Sequence, residues 1–171
     1  AVEALVRAKE AGKTRFIGYS GDNEAASWAI DSGLFDTLQT SMNIVDQNAR
    51  TRLLGPAEVK GMGIIIKRPI GNAVWGKPHR PSDSPSDYFS RAQEMARVGP
   101  LTDDPEDPTL LALGFIFAHP EVDTAIVGTG NLSHLISNIE MVERQLPISV
   151  AAVEEIHCRF DELGDDWPGM M

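Results

Sequence analysis

A run of alternating polar side chains at residues 37–43 is the first feature of the sequence that could do chemistry. Its polar members are Thr37, Gln39, Ser41 and Asn43. Because successive side chains of a strand point to opposite faces, this spacing predicts a strand with one distinctly polar face. Such a face either lines the mouth of a pocket or lies against solvent. We favour the pocket, because strands in parallel sheets usually have both faces covered.

A glycine-rich turn and a nearby pair of cations could together bind phosphate. The GTGN turn at residues 128–131 is predicted to leave a strand and open a helix. Backbone N–H groups and the helix dipole favour an anion at such a place, although a tight connection without a ligand is the alternative. Lys67 and Arg68 follow a run of three isoleucines. Lys67 is expected to reach into a cavity at the strand end, and Arg68 to be a solvated loop residue.

The histidines and the cysteine lack the spacing that metal or nucleophilic chemistry requires. His79 and His119 have no neighbours at metal-ligand spacing, so no metal site is predicted. His157 and Cys158 are adjacent on a predicted helix and therefore do not face each other as base and nucleophile.

Two further polar features are interpreted as structural. Tyr19 could serve as an acid, but strand alternation places it on the opposite face from Ser20, which favours core packing. The acidic residues within 103–107 are interpreted as a solvated turn.

The composition excludes several classes of partner. The chain of 171 residues has a net charge of −10, whereas a nucleic-acid surface needs clustered Lys and Arg. No apolar run approaches the roughly 18 residues of a membrane span, so no membrane partner is expected. A single cysteine, Cys158, leaves no intramolecular disulfide, and a cytoplasmic location is expected.

The elements that would position these side chains alternate between helix and strand. Strands are predicted at residues 15–20, 37–42, 63–67 and 123–127. Helices are predicted to end at Gly12 and to cover residues 23–33, 49–60, 87–97, 109–119, 131–142 and 150–163, with Gly55-Pro56 dividing the helix at 49–60. This order indicates an α/β protein of parallel βα units. An open doubly wound sheet and half of a closed barrel both satisfy it.

Several short segments occur in a fixed order along nearly the whole chain. They are ALV at 4–6, GKTRFIGYS at 12–20, LQTSMN at 38–43, IKRPI at 66–70, WGK at 75–77, AHP at 118–120, VDTAIVGT at 122–129 and NLSHLISN at 131–138. Each segment alone is weak, but together and in this order they resemble the aldo-keto reductase family.

The resemblance implies a TIM (β/α)8-type barrel, of which this chain is about the C-terminal half, and NAD(P)H-dependent reduction of aldehydes and ketones. Ser20 and Gln39 match family positions that hold the nicotinamide carboxamide, and Lys67 matches the side chain that packs against the ring. Pro69 and Ile70 match the diphosphate loop. The positions around the adenosine phosphate and adenine are matched by Gly128, Thr129, His134 and Asn138.

This sequence departs from the family pattern at a few positions. Gly21 stands where the family has Asn, and Gly130 and His134 stand where Arg or another long polar residue is common. NADP(H) is expected from the family, with NAD(H) as the alternative, because neither Gly130 nor His134 is a permanent cation. The family's catalytic Asp, Tyr, Lys and His match no position here and would lie N-terminal to Ala1. The chain alone is therefore expected to bind cofactor poorly and not to catalyse.

Two functions stay open at this point. The first is a fragment of an active carbonyl reductase that carries the cofactor-binding half. The second is a non-catalytic half barrel that binds cofactor or protein, since free strand edges favour self-association or pairing with an N-terminal half. In both cases we expect one partial domain over residues 1–171, with a long loop or lid insertion at about 69–108.

Overall fold

Four parallel strands form the centre of the computed structural model, which describes residues 2–81, 86–164 and 167–169. The strands pair in chain order as β1 (Gly18–Ser20), β2 (Thr37–Ser41), β3 (Gly63–Lys67) and β4 (Thr124–Ile126). The register places Ser20 beside Gln39 and Ser41 beside Lys67. The predicted α/β class and parallel arrangement are confirmed.

Helices precede, connect and follow the strands. They are α1 (Val2–Glu10), α2 (Asn23–Ser32), α3 (Gly55–Val59), α4 (Ser86–Arg97), α5 (Pro108–Phe117), α6 (Leu132–Arg144) and α7 (Val150–Leu163). A π-helix at Arg50–Leu54 leads into α3, and a 3-10 turn covers Gly71–Ala73. Pro56 lies in the first turn of α3, where its missing N–H costs no intrahelical hydrogen bond. The predicted helix at 49–60 therefore changes from π to α at Gly55, but its backbone stays helical across Gly55-Pro56 and is not broken there.

The first strand is shorter than predicted, because the residues before Gly18 are held by a side chain. The N–H of Ile17 donates to the carboxylate of Asp36 at 2.8 Å. Asp36 also pairs with Lys9 of α1 at 2.7 Å, which ties α1 to the loop before β2. Phe16 is 60% exposed. Residues 15–17 therefore lie outside the strand that the sequence predicted at 15–20.

The helices cover one face of the sheet. Leu38, Ile64 and Ile66 are fully buried there. Tyr19 lies on the same face, with its ring centroid 5.5 Å from that of Phe35 and 6.4 Å from that of Trp28, so its predicted core packing is confirmed. The opposite face is open, since Ser20, Thr124 and Ile126 of the two outer strands are exposed.

The helix α5 is as apolar and buried as its sequence predicts. Residues 111–116 are all buried. Asp107 caps the helix, because its carboxylate accepts the N–H groups of Thr109 at 2.7 Å and Leu110 at 3.3 Å. Asp107 is exposed, in agreement with the interpretation of residues 103–107 as a solvated turn, and it has a structural role as well.

The two outer strands, β1 and β4, each have one strand neighbour among the described residues, so the sheet has two free edges. Beside β4, helix α6 buries only Met141 and exposes apolar side chains at Leu132, Leu135, Ile136 and Ile139.

No helix in the described part of the chain is long and apolar enough to cross a membrane. Residues 82–85 of the predicted insertion at 69–108 lie outside the described residues, and the rest of it includes α4.

Candidate functional site

Ser20 and Lys67 are the last residues of β1 and β3, and Gln39 lies in the middle of β2 beside Ser20, so the three residues lie toward the carboxyl end of the sheet. The side-chain amide of Gln39 donates from Nε2 to Ser20 Oγ at 2.9 Å. This bond follows from the register, which places the two residues side by side on neighbouring strands. The two residues that the sequence assigned to one carboxamide are therefore held together.

Asp22 joins this edge of the sheet, although the sequence analysis gave it no role. Its carboxylate accepts the Ser41 N–H at 2.6 Å and the Thr40 hydroxyl at 3.0 Å, and forms an ion pair with Lys67 Nζ at 2.9 Å. Burial raises the pKa of Asp22, but the hydrogen bond from Ser41 and the contacts with Lys67 and Thr40 outweigh it, and the pKa lies below its usual value. We call Ser20, Asp22, Gln39 and Lys67 the edge group.

A buried hydroxyl lies next to the edge group. Ser41 is 4% exposed, and its Oγ has no hydrogen-bond partner among the described residues. It lines a cavity of about 10 Å³ with Asp22 and Thr40, about the space of one water molecule. A water molecule in this cavity would satisfy the hydroxyl, as is usual for buried polar groups.

A second, larger cavity lies between the end of β4, α6 and the loop after β3. This cleft has a volume of about 340 Å³. Five residues assigned from the sequence line it, namely Ile70, Gly128, Thr129, His134 and Asn138. Pro69 is buried and lines a separate small cavity beside Ile70. The predicted site residues therefore form two groups, one at the strand edge and one in the cleft.

The turn at residues 128–131 exposes backbone to the cleft. A Cβ placed on Gly128 or Gly130 would meet no atom within 4 Å, so both backbones face open space. Asn131 caps α6 by accepting the Ser133 N–H at 2.9 Å, and Thr129 Oγ1 accepts the Asn131 N–H at 3.1 Å. The turn is therefore fixed by its own side chains while its glycines stay accessible.

The loop that follows β3 has an unusual backbone conformation. Arg68, Asn72 and Ala73 all have φ values near 56–58°, a left-handed conformation that costs energy for residues other than glycine. Asn43 Nδ2 donates to the Arg68 carbonyl at 3.2 Å, and this hydrogen bond holds Arg68, the first of the three residues, in place. Arg68 is half-buried, so its interpretation as a solvated loop residue is wrong. Strained loops of this kind are concentrated at ligand sites.

The side chains of His119, just after α5, and His157, in α7, contact each other. The sequence analysis missed this contact because 38 residues separate the two histidines. Their Nε2 atoms are 3.1 Å apart, and His119 Nδ1 lies 2.9 Å from the Phe115 carbonyl. Burial lowers the pKa of both rings, and with help from the charge of Arg50 it lowers that of His157 to about 4. In the described part of the chain, no group of three or more His, Cys, Asp or Glu is arranged to hold a metal ion.

Both tyrosines lie away from the open face of the sheet. Tyr19 packs in the helix layer. Tyr88 is fully buried, and its hydroxyl donates to Asp46 at 3.2 Å. Burial, with the nearby charge of Asp46, raises the pKa of Tyr88 to about 12. The buried Tyr88 hydroxyl is therefore not placed to give a proton to a ligand at the edge group. The Tyr19 hydroxyl lies close to the backbone of Gly21, while its ring packs on the face that the helices cover.

Solved structures share this fold. The holo form of the aldo-keto reductase AKR11C1 from Bacillus halodurans matches with a TM-score of 0.75 and 19% identity, over 92% of this chain and 54% of that one. Its apo form matches with a TM-score of 0.73 and 18% identity, over 92% and 55% of the two chains. The four parallel strands are thus consistent with part of a TIM barrel.

Sequence comparison identifies the family. L-galactose dehydrogenase of Arabidopsis thaliana is 25% identical over 146 residues, which are 82% of this chain and 46% of that protein. The chain therefore spans about half the length of the relatives that it matches. A sequence model described as the aldo/keto reductase family matches residues 1–157. Because that match covers most of the chain, the protein belongs to the aldo/keto reductase family of oxidoreductases.

Proposed function

We propose that this chain forms the nicotinamide-binding half of an oxidoreductase that reduces aldehydes or ketones with NAD(P)H. The observation that carries the proposal is the way the fold gathers the residues assigned from the sequence. In the edge group Gln39 bonds to Ser20 and Lys67 pairs with Asp22, and the cleft gathers five more of the assigned residues. In parallel α/β folds, ligands bind at this end of the strands.

The residues present suit a nicotinamide dinucleotide. The amide of Gln39 and the hydroxyl of Ser20 offer donors and acceptors to a carboxamide, and Lys67 would lie beside the ring. Pro69 and Ile70 would support the diphosphate, for which the open glycine backbone at Gly128 leaves room. Thr129, His134 and Asn138 would contact the adenosine end.

The cofactor supplies the hydride for carbonyl reduction, and the residues of this chain bind and orient it. The proton is expected to come from elsewhere, because Tyr88 is fully buried and Tyr19 packs its ring against Phe35 on the face that the helices cover. In the family that proton comes from a tyrosine assisted by Lys and Asp, and no position of this chain matches those residues. We therefore expect no carbonyl reduction by the chain alone, and weak cofactor binding.

The choice between NADP(H) and NAD(H) depends on charge in the cleft. The cleft is lined by Asp107 and His134, and by no Lys or Arg among the described residues. A 2′-phosphate is usually bound by a permanent cation, so this lining gives little support to the NADP(H) preference that the family implies. We propose that both cofactors are accepted and that neither is preferred strongly.

The two free sheet edges favour a second function. In it, the chain is a non-catalytic half barrel that binds a partner. Phe16 near β1 and Ile126 on β4 are 60% and 49% exposed. Exposed apolar side chains beside unpaired strands favour association with another chain or with an N-terminal half. Light scattering over a concentration series measures this association directly. A monomer at every concentration would contradict the hypothesis of self-association.

Titration of NADPH and NADH fluorescence with the 171-residue chain tests the proposed function. Binding of either cofactor is expected, and the Gln39→Leu variant should weaken it because the carboxamide loses a polar partner. The matched control is Gln145→Leu, which changes an exposed residue after α6. Equal affinity of all three proteins, or no binding at all, would contradict the proposal. Carbonyl-dependent oxidation of NADPH is then measured, and turnover by the chain alone would contradict the expected lack of catalysis.

The segment 69–108 stays a candidate cover for the ligand. It contributes Ile70, Ala73 and Asp107 to the lining of the cleft. We propose that it closes over the bound cofactor, and protection of residues 70–73 from hydrogen exchange on NADPH binding would support this. Unchanged exchange at these residues with the cofactor bound would contradict it.

A further inference from the structure

Asp22 occupies a helix-capping position and does not cap its helix. It precedes α2 with an extended backbone (φ −133°, ψ 172°), and its side chain makes no capping hydrogen bond. An Asp at this position normally accepts an N–H of the first helical turn, which stabilises the helix. The carboxylate is instead turned toward β2 and β3. Its contacts there must offset the missing cap.

These contacts hold Lys67 in place. The carboxylate is held by the Ser41 N–H at 2.6 Å and by the Thr40 hydroxyl at 3.0 Å, so it cannot follow the lysine if that side chain moves. Lys67 Nζ lies 2.9 Å away, and the side chains of Asp22 and Lys67 are 10% and 25% exposed. The ammonium at the edge group is thus paired with a rigidly held negative charge.

We propose that Asp22 is a positioning residue that sets the relative affinity of this site for oxidised and reduced nicotinamide. The inference rests on the proposed function, in which Lys67 lies beside the nicotinamide ring. That ring carries a positive charge when oxidised and none when reduced. An unpaired ammonium beside it would repel the oxidised form alone, and the carboxylate of Asp22 offsets this repulsion.

A purely structural role for Asp22 makes a different prediction. If Asp22 only ties the loop before α2 to the strands, its loss disturbs the site for both redox forms of the cofactor equally. The ratio of the two dissociation constants then stays constant. A charge effect changes that ratio, because only one of the two forms carries the ring charge.

The test measures the dissociation constants of NAD⁺ and NADH, and of NADP⁺ and NADPH, by isothermal titration calorimetry on the whole chain. Asp22→Asn keeps the shape of the side chain and removes its charge. We expect it to shift the ratio toward the reduced form by roughly three- to tenfold, the size of one charge at short range in a partly solvated site. Lys67→Met should shift the ratio the other way, and the double variant should return it to within about twofold of the unaltered chain.

Asp36→Asn is the matched control. Asp36 also pairs with a lysine, Lys9 at 2.7 Å, and also accepts a backbone N–H, that of Ile17 at 2.8 Å. This pair lies at the other end of the sheet, before β1 and β2, so its loss should leave the ratio unchanged. An equal shift in the control would overturn the assignment to Asp22.

The outcomes separate this inference from the function on which it rests. If the unaltered chain binds neither redox form, the proposed function fails and the inference fails with it. If it binds both forms and Asp22→Asn weakens both equally, the inference alone is overturned. Should Asp22→Asn fail to fold, Lys67→Met decides the matter, since an unchanged ratio in that variant would refute the role of the charge pair.

Discussion

The edge group and the cleft are two parts of one candidate site, and they are built in opposite ways. The edge group is closed by its own contacts, since Gln39 bonds to Ser20 and the carboxylate of Asp22 joins three partners. The cleft is open, with a volume of about 340 Å³ and glycine backbone that faces empty space. The difference indicates that the edge group is organised before a ligand arrives, whereas the cleft supplies room.

Removing the carboxylate of Asp22 is expected to have the largest effect on stability. Asp22→Ala leaves the buried N–H of Ser41, the buried hydroxyl of Thr40 and the Lys67 ammonium without their acceptor. The free energy of unfolding should fall by about 2–4 kcal/mol. Urea denaturation measures it, with Asp22→Asn as the control that keeps an acceptor. A loss below about 0.5 kcal/mol would show that the edge group is not held by this residue.

Acid should distinguish the edge group from the buried histidine pair. The pKa of His157 is lowered to about 4, chiefly by burial, and that of His119 is lowered as well. As the pH falls, these histidines become protonated at a higher pH in the unfolded chain than in the folded chain. The free energy of unfolding therefore keeps its full value above about pH 6.5 and falls as the pH drops toward 4. The expected loss is on the order of 1–3 kcal/mol.

Denaturation at a series of pH values checks this, with His157→Gln as the control that should flatten the curve between pH 6.5 and 4. The pKa of Asp22 lies below its usual value, so its contribution persists through that window and is lost only at lower pH. A curve that stays equally steep in His157→Gln would show that other groups titrate there.

Within the cleft, stability should depend on the cap of α6. Asn131→Ala removes the acceptor of the Ser133 N–H and should lower the free energy of unfolding by about 1 kcal/mol, less than Asp22→Ala. Denaturation of the two variants side by side measures the contrast. If Asn131→Ala costs as much as Asp22→Ala, the cleft is not the more loosely held part.

Gly128 should affect binding without affecting stability. A Cβ at this position meets no atom within 4 Å, so Gly128→Val should change the free energy of unfolding by less than about 0.5 kcal/mol. The added side chain occupies space needed by a phosphate and should weaken cofactor binding by roughly tenfold. Gly55→Val is the control, since Gly55 also faces open space but begins α3. Unchanged cofactor affinity in Gly128→Val would place the cofactor elsewhere.

The sequence predicted the parts of the fold and site that depend on local patterns. The alternation at residues 37–43 and the order of elements were enough to place Gln39 in the second strand and Lys67 at the end of the third. The apolar run before His119 predicted the buried helix α5. These features depend on residues close together in the chain, where strand and helix periodicity is informative.

The contacts that the sequence did not predict join distant residues. Asp22 precedes Asn23 at a helix start, where a capping role is the expected one, yet its carboxylate bonds to β2 and Lys67. His119 and His157 meet only because α5 and α7 pack together. The hydrogen-bond partner of a polar side chain depends on how helices and strands pack against each other. Residue spacing in the sequence does not reveal that packing.

The most direct test of the two-part site is to map where the cofactor binds. Two-dimensional ¹H–¹⁵N NMR spectra of the labelled chain are recorded with increasing NADPH. The account predicts shifts of the amide signals of Ser20, Gln39 and the turn at residues 128–131, with little change at His119 and His157. Shifts confined to the helix layer, or none at saturating cofactor, would contradict it.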